Sequence, residues 1–150
     1  MGNRMFELIT NPTKKQLSEI KEWMEVESKL SNNEGLFANW TIIERGFKNK
    51  ELLVITLDNL AIGFNLFSEL NKHVIAFDII EINPNYRFKG FGQKFIVESI
   101  NYFLEREYYQ FIANPINKNS KKLLKKLDFI EVDCIIEYPS YNFSFNAKSI

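Results

Sequence analysis

One stretch decides the fold of this chain: Arg87-Phe88-Lys89-Gly90-Phe91-Gly92. It follows an apolar, strand-like run over residues 74–82 and precedes an amphipathic pattern, from residue 93 to about 106, that predicts a helix. A strand, a turn with two glycines and a helix start bring several backbone N–H groups around one concavity. Glycine has no Cβ and a helix start carries a positive partial charge, so this concavity suits an anion such as phosphate.

Three kinds of phosphate loop compete for this stretch. The dinucleotide fingerprint G-x-G-x-x-G lacks its third glycine, because Phe95 stands there, and a nucleotide P-loop needs Gly-Lys-Ser/Thr, which is absent. The pyrophosphate loop of a coenzyme A enzyme fits, as R-x-x-G-x-G. Glycines near a helix start also serve turn geometry alone in many α/β proteins, and that interpretation stays open.

Together with the preceding turn, Asn83-Pro84-Asn85-Tyr86, the pattern resembles the signature of the GNAT family of acetyl-CoA-dependent N-acyltransferases. A second match lies downstream: Asn117-Lys118-Asn119-Ser120, followed by Leu127-Asp128-Phe129, is similar to the family's N-x-x-A/S helix and Leu-Gly-Phe corner, with Asp128 in place of glycine. The resemblance covers about residues 74–132. It implies a mixed α/β GNAT fold in one domain, residues 1–150, with a mostly antiparallel twisted sheet, splayed strands and flanking helices.

The resemblance also implies a coenzyme site, with acetyl-CoA as cosubstrate. It places backbone contacts to the pantetheine arm at Ile80 and Ile82, with an amide near Ile82 as donor to the thioester oxygen. The remaining implied contacts belong to the two motifs: Arg87, Phe88, Lys89, Gly90, Phe91, Gly92, Gln93, Asn117 and Ser120. The charges of Arg87 and Lys89 are expected at the rim of the loop.

Acetyl transfer to an amine needs a base, and the strand before the loop carries two candidates. Asp78 stands nine residues before Arg87, which matches the family's base position, although a structural, hydrogen-bonded carboxylate is an equal interpretation. Glu81 is the second candidate, with a structural or rim role as its alternative. By simple alternation the two side chains lie on opposite faces of the strand.

The general acid departs from the family pattern. The tyrosine that some members carry four residues after the second motif's Ala/Ser is Leu124 here. Tyr138 and Tyr141 are possible substitutes, but aromatic packing is the better interpretation of each.

Composition sets wider limits. The chain has 150 residues, 45% of them hydrophobic, which suffices for one core, and 19 basic and 19 acidic residues, so no net field recruits nucleic acid or an anionic membrane. No metal-ligand set is recognisable. The single Cys134, within the apolar run of residues 130–136, is predicted to be a small core residue. Neither a signal peptide nor a transmembrane run is found, so a cytoplasmic monomer or homodimer is expected.

The element order is predicted as β-α-α-β-β-β-α-β-α-β-β. Thr13 and Gln16 form a capping box at the first helix, and Asp58-Asn59 is the turn of a hairpin. A second helix is predicted over residues 36–47. Two final strands are predicted, over residues 129–138 and 141–145.

These observations favour an acetyl-CoA-dependent N-acetyltransferase that acts on a primary amine of a small molecule, peptide or protein, by direct attack in a ternary complex. One alternative is a catalytically weak acyl-CoA-binding or regulatory module, for which Leu124 argues. Another is a nucleotide-phosphate-binding protein, against which the missing Lys-Ser/Thr argues.

Overall fold

The computed structural model describes residues 5–30 and 40–147. In these residues the predicted order of helices and strands is confirmed. The helices are α1 (Lys14–Leu30), α2 (Trp40–Lys48), α3 (Phe91–Leu104) and α4 (Lys118–Lys126). The strands are β1 (Phe6–Ile9), β2 (Leu52–Leu57), β3 (Leu60–Asn71), β4 (Val74–Ile82), β5 (Gln110–Ala113), β6 (Ile130–Glu131) and β7 (Phe143–Asn146). The start of the second predicted helix, at residues 36–39, lies outside the described residues.

The strands form a seven-stranded sheet in the order β1-β2-β3-β4-β5-β7-β6. β4 and β5 run parallel, whereas β1 with β2, β2 with β3, β5 with β7 and β6 with β7 are antiparallel. The predicted mixed α/β fold is therefore confirmed. In the part of the chain that the structure describes, no helix is both long and apolar enough to cross a membrane.

The chain divides into two compact units. The first contains the described residues up to Leu66 together with Ile79–Phe91, and the second contains Phe67–Asp78 and the described residues from Gly92 onward. Because the division falls within β3 and β4, both strands contribute residues to both units. That residues 1–150 form a single domain stays a prediction.

Local signals explain how the first unit starts. Thr13 N donates to Gln16 Oε1 (2.9 Å) and Gln16 N donates to Thr13 Oγ1 (3.1 Å), so the capping box satisfies two N–H groups at the start of α1. Asp58 and Asn59 have φ of 50° and 70°, the left-handed backbone that a two-residue hairpin turn between β2 and β3 requires.

Each unit has an apolar core. In the first unit α1 and α2 pack on β2 and β3, and the core residues are Ile20, Trp23, Met24, Ile43, Leu52, Val54, Ala61, Phe64 and Leu66. Trp23 Nε1 donates to Ala61 O at 3.2 Å, so the indole is satisfied within this core. In the second unit, Val74, Ala76, Ile112 and Ile135 form a buried cluster, and Phe103 packs against Phe67, Phe77 and Phe111.

The end of the chain differs from the prediction. Residues 129–138 are not one strand, because β6 has only two residues, and the segment turns back around Pro139, with an isolated bridge between Ile135 and Tyr138. Proline has no N–H to donate to a ladder. Of the isoleucine and valine residues in this segment, Ile135 is buried, whereas Ile130, Val132 and Ile136 are exposed. The prediction of a core position for Cys134 was also wrong, since this side chain is exposed.

Candidate active site

The glycine loop connects β4 to α3 through a short turn. Asn83 caps a 3₁₀ turn at Pro84–Tyr86, and its Oδ1 accepts a hydrogen bond from Asn85 N at 3.0 Å. The backbone then turns left-handed at Phe88 (φ 62°) and again at Gly90 (φ 87°), and α3 begins at Phe91. Outside helices and strands, the described residues show no backbone hydrogen bond of good geometry donated by residues 88–90. The N–H groups of Phe91, Gly92 and Gln93 lie in the first turn of α3, where a helix offers them no partner. A row of unsatisfied donors therefore stands at the start of a helix.

This geometry fits a phosphate group. The unpaired N–H groups and the helix dipole favour negative charge at the same place. A Cβ built on Gly90 meets no atom within 4 Å, so the space beside the loop is open to a ligand. The backbone of Phe88, Lys89, Gly90, Phe91, Gly92 and Gln93 would supply the donors to the phosphates of coenzyme A.

The two basic side chains of the loop, Arg87 and Lys89, do not extend freely at its rim, because each one contacts other groups of the protein. Arg87 turns back to the strand: its Nε donates to Ile82 O at 2.8 Å, and its Nη2 lies 2.6 Å from Glu81 Oε1. Lys89 Nζ donates to Asn85 O at 3.4 Å. The side chain of Phe88 is 89% exposed.

Glu81 is held at the end of β4 in a half-buried position. Burial raises the pKa of its carboxyl to about 7, against the lowering effect of Arg87 and with a raising effect from Glu27 of α1. A carboxyl with this pKa is largely protonated at pH 6 and largely ionised at pH 8. Near neutral pH it can both accept and release a proton, which is the property of an effective general base.

Asp78, the other candidate base, is exposed and accepts two hydroxyl hydrogen bonds. Ser68 Oγ donates to its Oδ2 at 2.7 Å, and Tyr141 OH donates to its Oδ1 at 2.6 Å. Both carboxylate oxygens are engaged, which supports the structural interpretation of Asp78. Burial, followed by the hydrogen bond to Asp78, raises the pKa of Tyr141 to about 12.

Ile80 and Ile82 occupy the last residues of β4, beyond its pairing with β5. That register covers Val74–Phe77 only, while β4 continues to Ile82. A strand that continues beyond the end of its neighbour has backbone N–H and C=O groups to which an extended ligand can form hydrogen bonds. The carbonyl of Ile82, however, is already bound by Arg87 Nε.

The second motif folds as the start of α4. Asn117 is the N-cap, and its Oδ1 accepts from Ser120 N at 2.8 Å, so the structure brings these two residues together. Leu124 is buried. Tyr138 OH accepts from Asn71 Nδ2 at 2.7 Å.

Sequence reasoning missed Glu27 and Gly63. Glu27 Oε2 lies 2.9 Å from Arg87 Nη1, a contact between residues 60 positions apart for which the sequence holds no signal. A Cβ on Gly63 would lie 3.0 Å from Glu81 O and 2.7 Å from Ile82 Cδ1. The end of β4 therefore approaches β3 closely at Gly63, and the sequence signal for this was a single glycine within an apolar strand pattern.

A shallow groove in the described residues lies away from these groups. It has a volume of about 600 Å³ and is mainly apolar. Its lining residues, none of them a predicted site residue, are Asp128, Ile130, Val132, Cys134, Ile135, Ile136, Glu137, Ser144, Phe145 and Asn146. The described residues also contain no cluster of three or more His, Cys, Asp or Glu side chains that could hold a metal ion.

Comparisons with known proteins address the family. The model of the acetyltransferase (GNAT) family matches residues 14–129. No curated protein matches the chain. The structure is similar to that of a GNAT-family protein of Desulfovibrio desulfuricans, with a TM-score of 0.72 at 9% identity, covering 97% of this chain and 99% of that one.

Two further solved structures are similar. An N-acetyltransferase of Staphylococcus aureus Mu50 has a TM-score of 0.67 at 17% identity, covering 98% of this chain and 100% of that one. The yncA protein of Salmonella typhimurium, solved with its cofactor acetyl-CoA, has a TM-score of 0.65 at 12% identity, covering 98% of this chain and 95% of that one. At such identities the likeness shows the fold alone.

Proposed function

The chain belongs to the acetyltransferase (GNAT) family, and from this premise we propose that it transfers an acetyl group from acetyl-CoA to a primary amine of a small molecule, peptide or protein, by direct attack in a ternary complex. The observation that carries the proposal is the loop of residues 87–92 at the start of α3. Its backbone N–H groups can donate to a phosphate, and the space beside Gly90 is open to a ligand. The similar structure solved with acetyl-CoA supports the same cosubstrate.

In this reaction acetyl-CoA supplies the activated acetyl group. The N–H groups of residues 88–93 bind its phosphate oxygens, and the N-cap residue Asn117 and Ser120 are the second proposed contact. The end of β4 beyond its register with β5, at Ile80 and Ile82, orients the pantetheine arm, and an amide near Ile82 donates to the thioester oxygen. These contacts hold the acetyl donor in one orientation for attack by the amine, which lowers the entropic part of the barrier.

Glu81 is the proposed base, and its step is a single proton transfer. An N–H bond of the acceptor ammonium breaks, the electron pair stays on nitrogen, and the proton forms an O–H bond on the Glu81 carboxylate. With a pKa of about 7, Glu81 is ionised in a large fraction of molecules at neutral pH and yet basic enough to take that proton. Asp78 remains the second candidate base.

Neither Leu124 nor Tyr141 suits the role of general acid. Leu124, at the family's tyrosine position, is buried and has no proton to give. Tyr141, whose pKa is raised to about 12, holds its proton far more tightly than a thiol with a pKa of about 8.5. A leaving thiolate therefore departs without protonation by either residue.

The buried Leu124 also favours the second candidate, a coenzyme-binding module with weak catalysis. Two measurements separate them. Coenzyme A and acetyl-CoA should each raise the melting temperature, since a ligand that binds only the folded state stabilises it. Thiol release from acetyl-CoA should then appear with members of a primary amine panel and not without amine. Stabilisation without thiol release would favour the module, and no stabilisation at millimolar coenzyme would contradict both.

A pair of matched variants identifies the base. Glu81→Gln should lower turnover about 100-fold or more at pH 7, because the amide cannot accept the proton, while binding of coenzyme A stays the same. Asp78→Asn should lower turnover much less and mainly reduce stability, because it disturbs the bonds from Ser68 and Tyr141. The reverse order of defects would assign the base to Asp78.

A further inference from the structure

One guanidinium in the first unit joins two carboxylates. Arg87 Nη1 lies 2.9 Å from Glu27 Oε2, and Nη2 lies 2.6 Å from Glu81 Oε1 and 3.2 Å from Glu27 Oε1. The third nitrogen, Nε, donates to Ile82 O at 2.8 Å. Arg87 thus ties α1 to the end of β4 through all three of its nitrogens.

The three side chains are only partly open to solvent. Their exposed fractions are 21% for Glu81, 30% for Glu27 and 29% for Arg87. Charges in such places interact more strongly than in water. One guanidinium contacts both carboxylates here, and Glu81, the least exposed of the three side chains, bears the largest cost of desolvation.

The backbone beside Glu81 is fixed independently of these charges. Asn83 N donates to Ile62 O at 2.7 Å, which ties the residue after β4 to β3. Gly63, next to Ile62, allows the carbonyl of Glu81 to approach within a distance that any Cβ would fill. With its Cα held in this way, the carboxylate of Glu81 is placed by its contact with Arg87.

We propose that Glu27 and Arg87 are positioning residues, which hold the carboxylate of Glu81 in one orientation and divide the guanidinium charge so that Glu81 stays a competent proton acceptor. This inference rests on the proposed function, in which Glu81 is the base. A full ion pair of Arg87 with Glu81 alone would make the carboxylate a weak base. Glu27 prevents that by sharing the cation.

The two neighbouring charges shift the pKa of Glu81 in opposite directions, as this arrangement requires. Arg87 lowers the pKa of Glu81 and Glu27 raises it, with burial as the largest raising cause. Arg87 and Glu27 are the charged groups that influence Glu81 in the described residues. Removing either charge should therefore move the proton affinity of Glu81, and in opposite directions.

The first test needs no acetyl transfer. In protein labelled with ¹³C at the glutamate carboxyls, with the Glu81 signal assigned through Glu81→Gln, a pH titration gives the pKa of Glu81 directly. Glu27→Gln should lower it by about one unit, and Arg87→Gln should raise it. Glu27→Asp, which keeps the charge, should restore most of the original value. Glu22→Gln, an equal loss of charge on the exposed side of α1, should leave it unchanged.

The second test uses the reaction with acetyl-CoA and an accepted amine. In Glu27→Gln the acid limb of the kcat profile should move to lower pH by the same amount, so that turnover at pH 6, relative to the plateau above pH 8, rises about fivefold. The plateau itself should fall, because a less basic Glu81 accepts the proton less readily, with KM for acetyl-CoA unchanged. A merely structural role of Glu27 would lower activity at every pH.

The two proposals fail separately. An unchanged pKa of Glu81 in Glu27→Gln would overturn the positioning role, whether or not the protein transfers acetyl groups. A shifted pKa would support the control of Glu81 by Glu27 even in a protein that transfers no acetyl group to any amine, and that lack of transfer would overturn the proposed function alone.

Discussion

Glu81 is the residue at which burial and function oppose each other most directly. A carboxyl in a half-buried site loses hydration when it ionises, and Arg87 recovers only part of that loss, since the pKa of Glu81 stands at about 7. In the unfolded chain the same group has an ordinary pKa near 4.5. A residue kept ready to take a proton at neutral pH must therefore cost the folded state stability.

This cost predicts a pH-dependent gain from Glu81→Gln. Between pH 4.5 and 7 the unfolded chain releases the proton first, so the stability of the unaltered protein falls as pH rises and levels off above pH 7. The amide that replaces the carboxyl in the variant has no proton to lose. The variant should thus gain up to about 3 kcal/mol relative to the unaltered protein between pH 4.5 and pH 8. Urea unfolding of both proteins at the two pH values measures this, and a constant difference would refute it.

At the scale of elements, the junction between β4 and α3 uses its two glycines differently. Gly90 has φ of 87°, which a residue with a Cβ adopts only under strain, whereas Gly92 lies in the first turn of α3 and has no left-handed backbone. Only Gly90 is therefore explained by turn geometry. The glycine at position 92 must instead be explained by packing of α3 or by the close approach of a ligand.

Alanine at each glycine separates these reasons. Gly90→Ala should lose about 1 kcal/mol of stability because of its φ, even though space for the methyl group is open. Gly92→Ala should keep its stability or gain a little, since alanine favours helix, yet bind coenzyme A about tenfold more weakly if the phosphate lies against it. Val97→Ala, at an exposed position of the same helix, is the control. Calorimetric titration with coenzyme A decides, and unchanged affinity in Gly92→Ala would exclude the close approach.

Elements with local signals could be predicted, and those that depend on distant partners could not. The capping box of Thr13 and Gln16 and the turn at Asp58-Asn59 are encoded within four residues, and both are confirmed. The orientation of Arg87 depends on Glu27, which no local pattern reveals. The apolar run of residues 130–136 is a local strand signal that the turns at residues 136–137 and 139–140 override.

For the whole molecule, family and fold followed from two motifs, while most of the site remains a set of predictions. The motif at residues 87–92 predicted the loop and α3, because glycine spacing reports backbone geometry. Side-chain roles depend on neighbours in space, and so the contacts of Asp78 with Ser68 and Tyr141 were not foreseen.

The exposed edge of the second unit gives a simple test of the fold. Cys134 is the single cysteine and is exposed, next to the short strand β6. A disulfide reagent should modify one thiol per native chain at the rate of a free thiol, without denaturant. Cys134→Ser should abolish the reaction and change stability by less than about 0.5 kcal/mol. A thiol that reacts only after unfolding would contradict the exposed position.

The division of β3 and β4 between the two units has a consequence for biosynthesis. The first unit is discontinuous along the chain, since Ile79–Phe91 must join the residues up to Leu66. On the ribosome, α1, α2 and the first hairpin emerge early but cannot complete their unit until the glycine loop has left the exit tunnel. Until then Gly63 and its neighbours lack the strand that covers them. A pause in translation just before the loop would prolong a nascent species with an open sheet edge, which is a natural target for chaperones.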